Sequence, residues 1–326
     1  MSETGQIPQA KTASVVLPVY NEEAAIREVI LDIDGVMRSS AYQYEILVVD
    51  DGSKDRTLAI LEELHREVPA LRVVRHQRNQ GEGQARKTGI LHAQFAHIVM
   101  LDADGTYPCQ DIPRVLDLLP AYDMSVGARV REAGTVRWLR TPAKWFLVKL
   151  ASFIVEQPIP DLNSGLRAFK QAAALKFFGI LPNGLSWVST LTLSFLSNGY
   201  SVAFTPIEYY TRKGKSSFHP IHDTLNYFKL INRTIMYFRP LRFFIPLTVS
   251  ILATGVGRFL YHALMLHKVR ESDTMVILTG IIVGSVAVTA DLVLKLARIN
   301  FVKTEPGGPV ETAGSTILDA NGGIVR

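Results

Sequence analysis

The sequence predicts a doubly wound α/β domain followed by a hairpin of two transmembrane helices. Short apolar runs alternate with stretches of helical period from residue 14 to about residue 130, the pattern of a sheet covered by helices. Polar clusters follow several of these runs, and two long apolar segments occupy residues 243–264 and 275–294. Ligands bind at the carboxyl ends of strands in open α/β sheets, so the residues after each strand are the candidates for chemistry.

The elements of the α/β domain follow from the period of the apolar residues. Runs of four to six apolar residues suit buried strands, and apolar residues three or four apart suit amphipathic helices. Each predicted helix connects two strands, which favours parallel pairing. The predicted strands are residues 14–19, 45–50, 71–75 and 97–101, and the predicted helices are residues 22–37, 55–67 and 83–94.

The composition excludes several classes of protein. With 326 residues, of which 48% are apolar and 20% charged, the chain builds a large ordered core. A net charge of +5 is modest for this length, so we predict no nucleic-acid partner. Cys109 is the only cysteine, which excludes an intramolecular disulfide and a cysteine-based zinc site. The first 14 residues contain no apolar stretch, so no signal peptide is predicted.

The two long apolar segments are each long enough to cross about 30 Å of hydrocarbon. Glycines in both segments suit close contact between the helices. Lysines and arginines flank the outer ends, which predicts that both ends face the cytoplasm. Arg258 and Asp291 are charges within the segments, and we expect them to reach toward the headgroups, with a contact between helices as the alternative.

Three polar clusters follow predicted strands. Residues 18–22 follow the first strand, residues 50–53 the second, and residues 102–105 the fourth. Asp102 and Asp104 in the last cluster offer oxygen ligands to a hard divalent cation. Acidic turns are common in proteins, so an Asp-x-Asp turn alone is weak evidence of a metal site. Ser53 or Asp55, which follow Asp51, also suit the N-cap of a helix. Three clusters meeting at one sheet edge are stronger evidence of a site than any one alone.

Gly81, Glu82 and Gly83 superficially suggest a dinucleotide-binding loop. That motif needs a third glycine where this chain has Arg86, and no acidic residue is suitably placed after it. We therefore predict no dinucleotide cofactor. The glycines suit either a backbone turn beneath a bound nucleotide or an ordinary loop.

The ordered set of motifs LPVYNEE, VVDDGSKDRT, LDADGTYP, VGAR, DLNSGLRAF and RKGKSSF, followed by two membrane helices, resembles glycosyltransferase family 2. Within that family it is similar to the dolichol-phosphate mannose synthase and polyprenyl-phosphate glycosyltransferase branch. The resemblance covers residue 14 to about residue 296. It implies a GT-A catalytic domain, a nucleotide-diphosphate sugar donor, Mg²⁺ or Mn²⁺ as cofactor, and a homo-oligomer, since some members form tetramers.

The resemblance also implies roles for individual residues. It assigns the metal to Asp102 and Asp104, whereas Thr106 stands where related synthases often carry a glutamine that contacts the metal. The nucleotide-binding residues that it implies are Pro18, Tyr20, Glu22, Val49, Asp51 and Ala103. The residues that it implies for the lipid phosphate are Arg129, Arg140, Ser164, Arg212 and Lys213, with Arg129 and Arg212 also counted as catalytic.

The acceptor region contains no acidic side chain. Between Asp161 and Glu208 the sequence has neither aspartate nor glutamate. A sugar hydroxyl needs a base to remove its proton, whereas a phosphate with a second pKa near 6 is already largely ionised at pH 7. This favours a lipid phosphate as acceptor, bound by cations. Asp161 is expected to orient the sugar or the loop at Ser164, or to cap a helix.

These observations predict an inverting, metal-dependent enzyme that moves one sugar from a UDP- or GDP-sugar to polyprenyl phosphate at the cytoplasmic face of the cell membrane. A processive polysaccharide synthase of the same fold and a non-catalytic membrane scaffold that binds nucleotide sugars are the alternatives. The predicted organisation is a tail (residues 1–13), a catalytic domain (14–218), juxtamembrane amphipathic helices (219–240), two transmembrane helices (241–298) and a disordered tail (299–326).

Overall fold

The computed structural model describes residues 11–130, 148–149, 151–153, 155–184, 186–211, 240–303, 315–318 and 324–325. Most of these residues form a mixed sheet with helices on both faces. The strands are β1 (Lys11–Val19), β2 (Tyr42–Asp50), β3 (Leu71–His76), β4 (His97–Met100), β5 (Met124–Arg129), β6 (Arg167–Lys170), β7 (Val202–Ile207), β8 (Ser315–Leu318) and β9 (Ile324–Val325).

The helices of the sheet domain occur where the apolar period predicts them, together with shorter ones. The sheet domain contains α1 (Ile26–Arg38), α2 (Thr57–Glu67), α3 (Glu82–His92), α4 (Ile112–Leu116), α5 (Gln171–Leu175) and α6 (Trp187–Ser197). α1 begins at Ile26, later than the predicted start at residue 22. Residues 22–25 instead form a turn in which the Glu22 carbonyl accepts the N–H groups of Ala25 and Ile26. β1 begins at Lys11, so the predicted N-terminal tail is three residues too long.

The strand order is β7-β5-β6-β4-β1-β2-β3-β8-β9. β4, β1, β2 and β3 are parallel, as predicted, and β6 runs antiparallel between β4 and β5. Because β6 is reversed, its first residue, Arg167, lies opposite Met100 at the end of β4. The carboxyl ends of β1, β2, β4, β5 and β7 therefore meet the amino end of β6 at one edge.

The core lies on both faces of the sheet, as the alternation of side chains along each strand requires. On one face Val15 and Leu17 of β1 pack with α1, α2 and α4. On the other face Val16 packs with α3, α5 and α6. Gly89 of α3 permits a close approach there, since a Cβ at this position would lie 2.3 Å from a methyl carbon of Val16. The helices thus hold the loops at the carboxyl edge of the sheet in place.

Two long apolar helices follow the sheet domain: α7 (Pro240–Met265) and α8 (Glu271–Lys303). Pro240–Met265 and Glu271–Leu296 are long and apolar enough to cross a membrane, and only 6% and 11% of their apolar windows are buried. The core helix of a soluble domain would be mostly buried, so lipid is the environment that suits these helices. Their contact is close, because a Cβ on Gly255 would lie 2.8 Å from Ile277.

The charges in the hairpin have partners. Nε of Arg258 lies 3.1 Å from Oδ1 of Asp273, and Nδ1 of His262 lies 2.5 Å from Oδ2 of the same carboxylate. The expectation that Arg258 only reaches toward headgroups is therefore wrong, and the alternative contact between helices is confirmed for it. Asp291 pairs with Lys295 one turn later, at 2.7 Å.

The hairpin contacts the sheet domain at the start of α7. The guanidinium of Arg242 pairs with Glu156 and lies 4.5 Å from the ring centre of Phe153. Phe244 packs against a small apolar cluster that includes Leu193 of α6. These contacts join the first membrane helix to the same layer that contains α6.

The C-terminal segment differs from its prediction. α8 continues to Lys303, and β8 and β9 extend the sheet at its β3 edge, so the prediction of a wholly disordered tail over residues 299–326 is wrong. β8 runs antiparallel to β3, with Thr316 opposite Arg75. An unpaired edge strand is a liability for aggregation, and β8 covers this one. The pairing also returns the chain after α8 to the sheet domain.

Cysteines that replace Arg75 and Thr316 should form a disulfide in the full-length protein under mild oxidation, because paired strand residues lie within disulfide distance. Thiol counting by mass spectrometry measures the product. The control pairs T316C with R66C, which places the second cysteine on the exposed face of α2. Equal disulfide yields in the two double variants would contradict the pairing of the tail with β3.

Candidate active site

Asp102 and Asp104 lie on the turn that follows β4, at the edge where the strand ends meet. Asp104 is 8% exposed. One of its oxygens, Oδ1, accepts the Thr106 N–H at 3.1 Å and the Thr106 hydroxyl at 2.6 Å. Thr106 therefore fixes the orientation of the Asp104 carboxylate. Gly105, with φ +74, allows the turn that brings the two residues together.

Asp102 is held on two sides. Its Oδ1 accepts a hydrogen bond of 2.7 Å from Nη2 of Arg86. On the other side, a Cβ at Gly165 would lie 2.5 Å from Oδ2 of Asp102, so only glycine leaves room for the carboxylate. One third of the Asp102 side chain is exposed (33%). Burial of the rest raises the pKa of Asp102 to about 6, although the charge of Arg86 opposes this shift.

The two carboxylates fit a divalent cation such as Mg²⁺ or Mn²⁺. Both offer hard oxygen donors, and the space that Gly165 leaves beside Asp102 accommodates its carboxylate. In the part of the chain that the structure describes, no three His, Cys, Asp or Glu side chains converge on one point. Further ligands would then come from phosphate oxygens and water, as is usual for Mg²⁺.

Asp51 follows β2, and its carboxylate is fully engaged. Oδ1 lies 2.6 Å from Nδ1 of His76 and accepts the Gln80 N–H at 2.9 Å, and Oδ2 accepts the Gly81 N–H at 2.8 Å. The second ring nitrogen of His76 lies 2.9 Å from the hydroxyl oxygen of Thr88. All these side chains are almost fully buried. Asp51 therefore fixes the loop after β3, and this loop borders the site.

The other residues predicted to bind nucleotide lie at the same edge. Pro18 and Val49 are opposite each other in β1 and β2, and both are buried, as is Ala103. Tyr20 is 38% exposed. The N–H of Glu22 donates to the Thr57 hydroxyl at 2.9 Å, which joins the turn after β1 to the turn after β2. The structure thus brings all six residues to one edge, and their contact with nucleotide stays a prediction.

Gly81 and Gly83 have a structural explanation. A Cβ on Gly81 would lie 2.6 Å from the carbonyl oxygen of Asn183, and one on Gly83 would lie 2.3 Å from the carbonyl oxygen of Pro182. The Asn183 carbonyl also accepts the Gln84 N–H at 3.0 Å. The loop before α6 therefore packs directly on the first turn of α3, and that close approach requires the glycines.

Asp161 and Arg129 form a buried, two-pronged ion pair. Nε and Nη2 of Arg129 donate to the two carboxylate oxygens at 2.6 and 2.9 Å. Burial acts to raise the pKa of Asp161, but the hydrogen bonds and charge of Arg129 outweigh it and hold that pKa below its usual value. Asp161 also accepts the Asn163 N–H at 3.0 Å, so it orients the loop that leads to Ser164, one of its expected roles. The Arg129 guanidinium lies 5.1 Å from the ring centre of Tyr209.

Ser164 and Arg167 are fully buried at the start of β6. Arg167 donates at 2.9 Å to both the Val188 carbonyl and the Thr192 hydroxyl of α6, and it also bonds the Ser164 carbonyl. Arg167 is therefore an internal residue that joins the loop at Ser164 to α6. The hydroxyl of Ser164 has no hydrogen-bond partner among the described residues. A buried hydroxyl without a hydrogen-bond partner in the protein is typical of a site that receives a polar ligand or water.

Arg140, Arg212 and Lys213 lie outside the described residues. Their predicted contacts with the lipid phosphate stay predictions.

Arg86 is a site residue that the sequence alone did not reveal. Arg86 is 1% exposed, pairs with both Glu82 and Asp102, and lies 5.5 Å from the ring centre of Trp187 in α6. Glu82 and Arg86 are four residues apart, a spacing typical of an ion pair on a helix, but the predicted helix began only at residue 83. That spacing usually marks an exposed pair, and only the packing of α3 on the sheet turns Arg86 inward.

Comparisons with known proteins agree with this architecture. Residues 14–178 match the family model for Glycosyl transferase family 2. A dolichyl-phosphate hexose transferase of Haloferax volcanii is 34% identical over 209 residues, which cover 64% of this chain and 86% of that protein. A polyprenol monophosphomannose synthase of Mycolicibacterium smegmatis is 32% identical over 209 residues, which cover 61% of this chain and 77% of that protein.

A solved structure extends the comparison to three dimensions. Glucosyl-3-phosphoglycerate synthase of Mycobacterium tuberculosis, in complex with Mn²⁺, uridine diphosphate and glucosyl-3-phosphoglycerate, superposes with a TM-score of 0.53 at 19% identity. The match covers 69% of this chain and 79% of that one. At this identity the likeness bears on the fold alone, and it supports the GT-A architecture. The chain is a glycosyltransferase and belongs to glycosyltransferase family 2.

Proposed function

We propose that this protein transfers a single sugar from a nucleotide-diphosphate sugar to polyprenyl phosphate, with inversion at the anomeric carbon. The observation that carries the proposal is the pairing of the Asp102–Asp104 turn with an acceptor side whose only acidic residue, Asp161, is held by Arg129, and whose residues 162–207 include neither aspartate nor glutamate. The names of the two curated relatives, a dolichyl-phosphate hexose transferase and a polyprenol monophosphomannose synthase, support the same acceptor class.

On the donor side, Asp102 and Asp104 would hold Mg²⁺ or Mn²⁺. The cation would supply positive charge against the negative charge that develops on the leaving diphosphate. Thr106 keeps the Asp104 carboxylate in one orientation, and Asp51 holds the loop after β3 against the site. Pro18, Tyr20, Glu22, Val49 and Ala103 would complete the nucleotide pocket with Asp51.

On the acceptor side, α6 provides no base, and the one carboxylate in the loop before β6, that of Asp161, is bonded to Arg129 through both oxygens. α6 carries no ionisable side chain, and it is joined to that loop through Arg167. An oxygen of the ionised lipid phosphate would attack the anomeric carbon while the bond from that carbon to the diphosphate breaks, so no side chain needs to remove a proton. Arg129, Arg140, Arg212, Lys213 and the Ser164 hydroxyl would bind and orient the phosphate.

The ion pair with Asp161 gives Arg129 a fixed position for this task. Both guanidinium contacts to the carboxylate are buried, so the arginine does not rearrange when the phosphate arrives. Asp161 would act through Arg129 and the Ser164 loop. Its hydrogen bonds with Arg129 lower its pKa, and a carboxylate of lowered pKa is a weaker base for the removal of a proton.

The proposed setting is the cell membrane. α7 and α8 would span it, the segment at residues 219–240 would lie along its surface, and the catalytic domain at residues 14–218 would sit on the cytoplasmic face. The basic residues that flank the hairpin support this orientation. The pairing of β8 with β3 supports an arrangement in which both hairpin ends lie on one side.

Asp104→Asn should abolish sugar transfer, by about 100-fold or more, because it removes a charged donor from the proposed metal site. Transfer of a radiolabelled sugar to polyprenyl phosphate measures the effect, and membrane insertion should be unchanged. Asp117→Asn, which alters an exposed ion pair with Lys11, is the matched control. Normal turnover in the Asp104 variant would remove the metal assignment.

Arg212→Ala should raise the KM for polyprenyl phosphate by about 10-fold or more, since it removes a charged hydrogen bond to the acceptor. The KM for the donor should change little. Steady-state kinetics with each substrate varied in turn separates the two effects, with Arg66→Ala on α2 as the control. A variant that uses the lipid normally but binds the donor poorly would show that Arg212 belongs to the donor side.

A further inference from the structure

Arg86 has no role in the chemistry described so far, yet it contacts the proposed metal site directly. It lies on α3 beneath the turn after β4, and it is 1% exposed. Its Nη2 donates to Oδ1 of Asp102 at 2.7 Å, and the same nitrogen bonds Oε1 of Glu82. Its Nε also reaches Glu82, at 3.2 Å. Glu82, one helical turn before Arg86, therefore holds the guanidinium in place beside Asp102.

Burial of an arginine is costly unless its charge and its N–H groups are compensated. The aromatic face of Trp187 lies 5.5 Å from the guanidinium carbon of Arg86 and provides part of this compensation. Glu82 and Asp102 provide the opposite charge. The Nη1 atom of Arg86 still has no hydrogen-bond partner among the described residues. A surface salt bridge would serve stability at lower cost, so the burial of Arg86 at this point calls for another explanation.

Gly165 constrains the same carboxylate from the opposite side. A Cβ there would lie 2.5 Å from Oδ2 and 2.9 Å from Cγ of Asp102. The N–H of Gly165 donates to the hydroxyl of Tyr107 at 2.6 Å, which fixes the backbone of the loop. Arg86 thus holds one carboxylate oxygen, and the backbone at Gly165 limits the position of the other.

We infer that Arg86 and Gly165 are positioning residues that fix the Asp102 carboxylate for a divalent cation. This inference rests on the proposed function, in which Asp102 is a metal ligand. Groups that orient a ligand matter for affinity because a metal site needs its donors in place before the ion arrives, and their loss typically costs about 10- to 100-fold in metal affinity.

Charge and position make opposite predictions for Arg86. If Arg86 acted only through its positive charge, removing it would strengthen the binding of a cation to the neighbouring carboxylate at a pH high enough to keep Asp102 ionised in the variant, and binding is therefore measured there. If Arg86 acts by fixing the carboxylate, removing it weakens binding despite the more negative site. Gly165→Ala is a second way to distinguish the effect of charge from the effect of position, because it displaces the Asp102 carboxylate and leaves every charge intact.

The test measures Mn²⁺ binding to the full-length protein in detergent, with and without UDP, by the electron paramagnetic resonance signal of free Mn²⁺. Arg86→Met and Gly165→Ala should both lower the affinity by about 10-fold or more. Arg86→Lys should lie between Arg86→Met and the unchanged protein. Unchanged or tighter binding by Arg86→Met would overturn the inference, and so would unchanged binding by Gly165→Ala.

Arg72→Met is the matched control for loss of a partly buried arginine. Arg72 pairs with the buried Glu45 near the amino ends of β2 and β3, at the opposite edge of the sheet from Asp102. It should lose thermal stability but keep the Mn²⁺ affinity of the unchanged protein. An equal loss of affinity in this control would show that general destabilisation explains the Arg86 result. If the unchanged protein itself binds no Mn²⁺, both the proposed metal site and the inference fail. If the unchanged protein binds Mn²⁺ and the Arg86 and Gly165 variants bind it equally well, only the inference fails.

Discussion

The alignment of strand ends at one edge of the sheet is the constraint on which the site depends. Val19 of β1 lies opposite Asp50 of β2, and the reversed strand β6 brings the loop at Gly165 to the end of β4. Residues distant in sequence thereby come into contact: the Gly165 N–H bonds the Tyr107 hydroxyl, 58 positions away, and the Gly81 N–H bonds Asp51, 30 positions away. The Asp102–Asp104 turn and the loop at Gly165 are adjacent because β6 runs antiparallel to β4 at this point.

Charge within the site is arranged in buried pairs. Arg86 with Asp102 and Arg129 with Asp161 each place a largely buried guanidinium against a carboxylate, although the Asp102 side chain stays one third exposed (33%). Such pairs bring little net stability, because desolvation offsets much of the attraction. They do fix the orientation of the Asp102 and Asp161 carboxylates. A third buried arginine, Arg167, bonds carbonyl and hydroxyl oxygens of its neighbours and joins α6 to the Ser164 loop.

The sequence was sufficient to predict features that depend on local period. The first four strands, the three long helices between them and the membrane hairpin all follow from apolar spacing. The Asp102–Asp104 turn was predictable because it directly follows an apolar run. Arg86 was not, because its inward direction depends on how closely Gly89 lets α3 approach β1. The strands near the C-terminus were missed for a similar reason, since pairing of β8 with β3 is a contact between distant segments that composition does not reveal.

The claim at the centre of this account is that the acceptor phosphate is itself the attacking group. The most direct measurement offers the purified protein one nucleotide sugar and two acceptors of the same isoprenoid length, polyprenyl phosphate and the free alcohol polyprenol. The account predicts sugar transfer to the phosphate alone, with the new bond joining the anomeric carbon to a phosphate oxygen. Transfer to polyprenol at a comparable rate would contradict it, because an alcohol needs a base that the acceptor side does not provide.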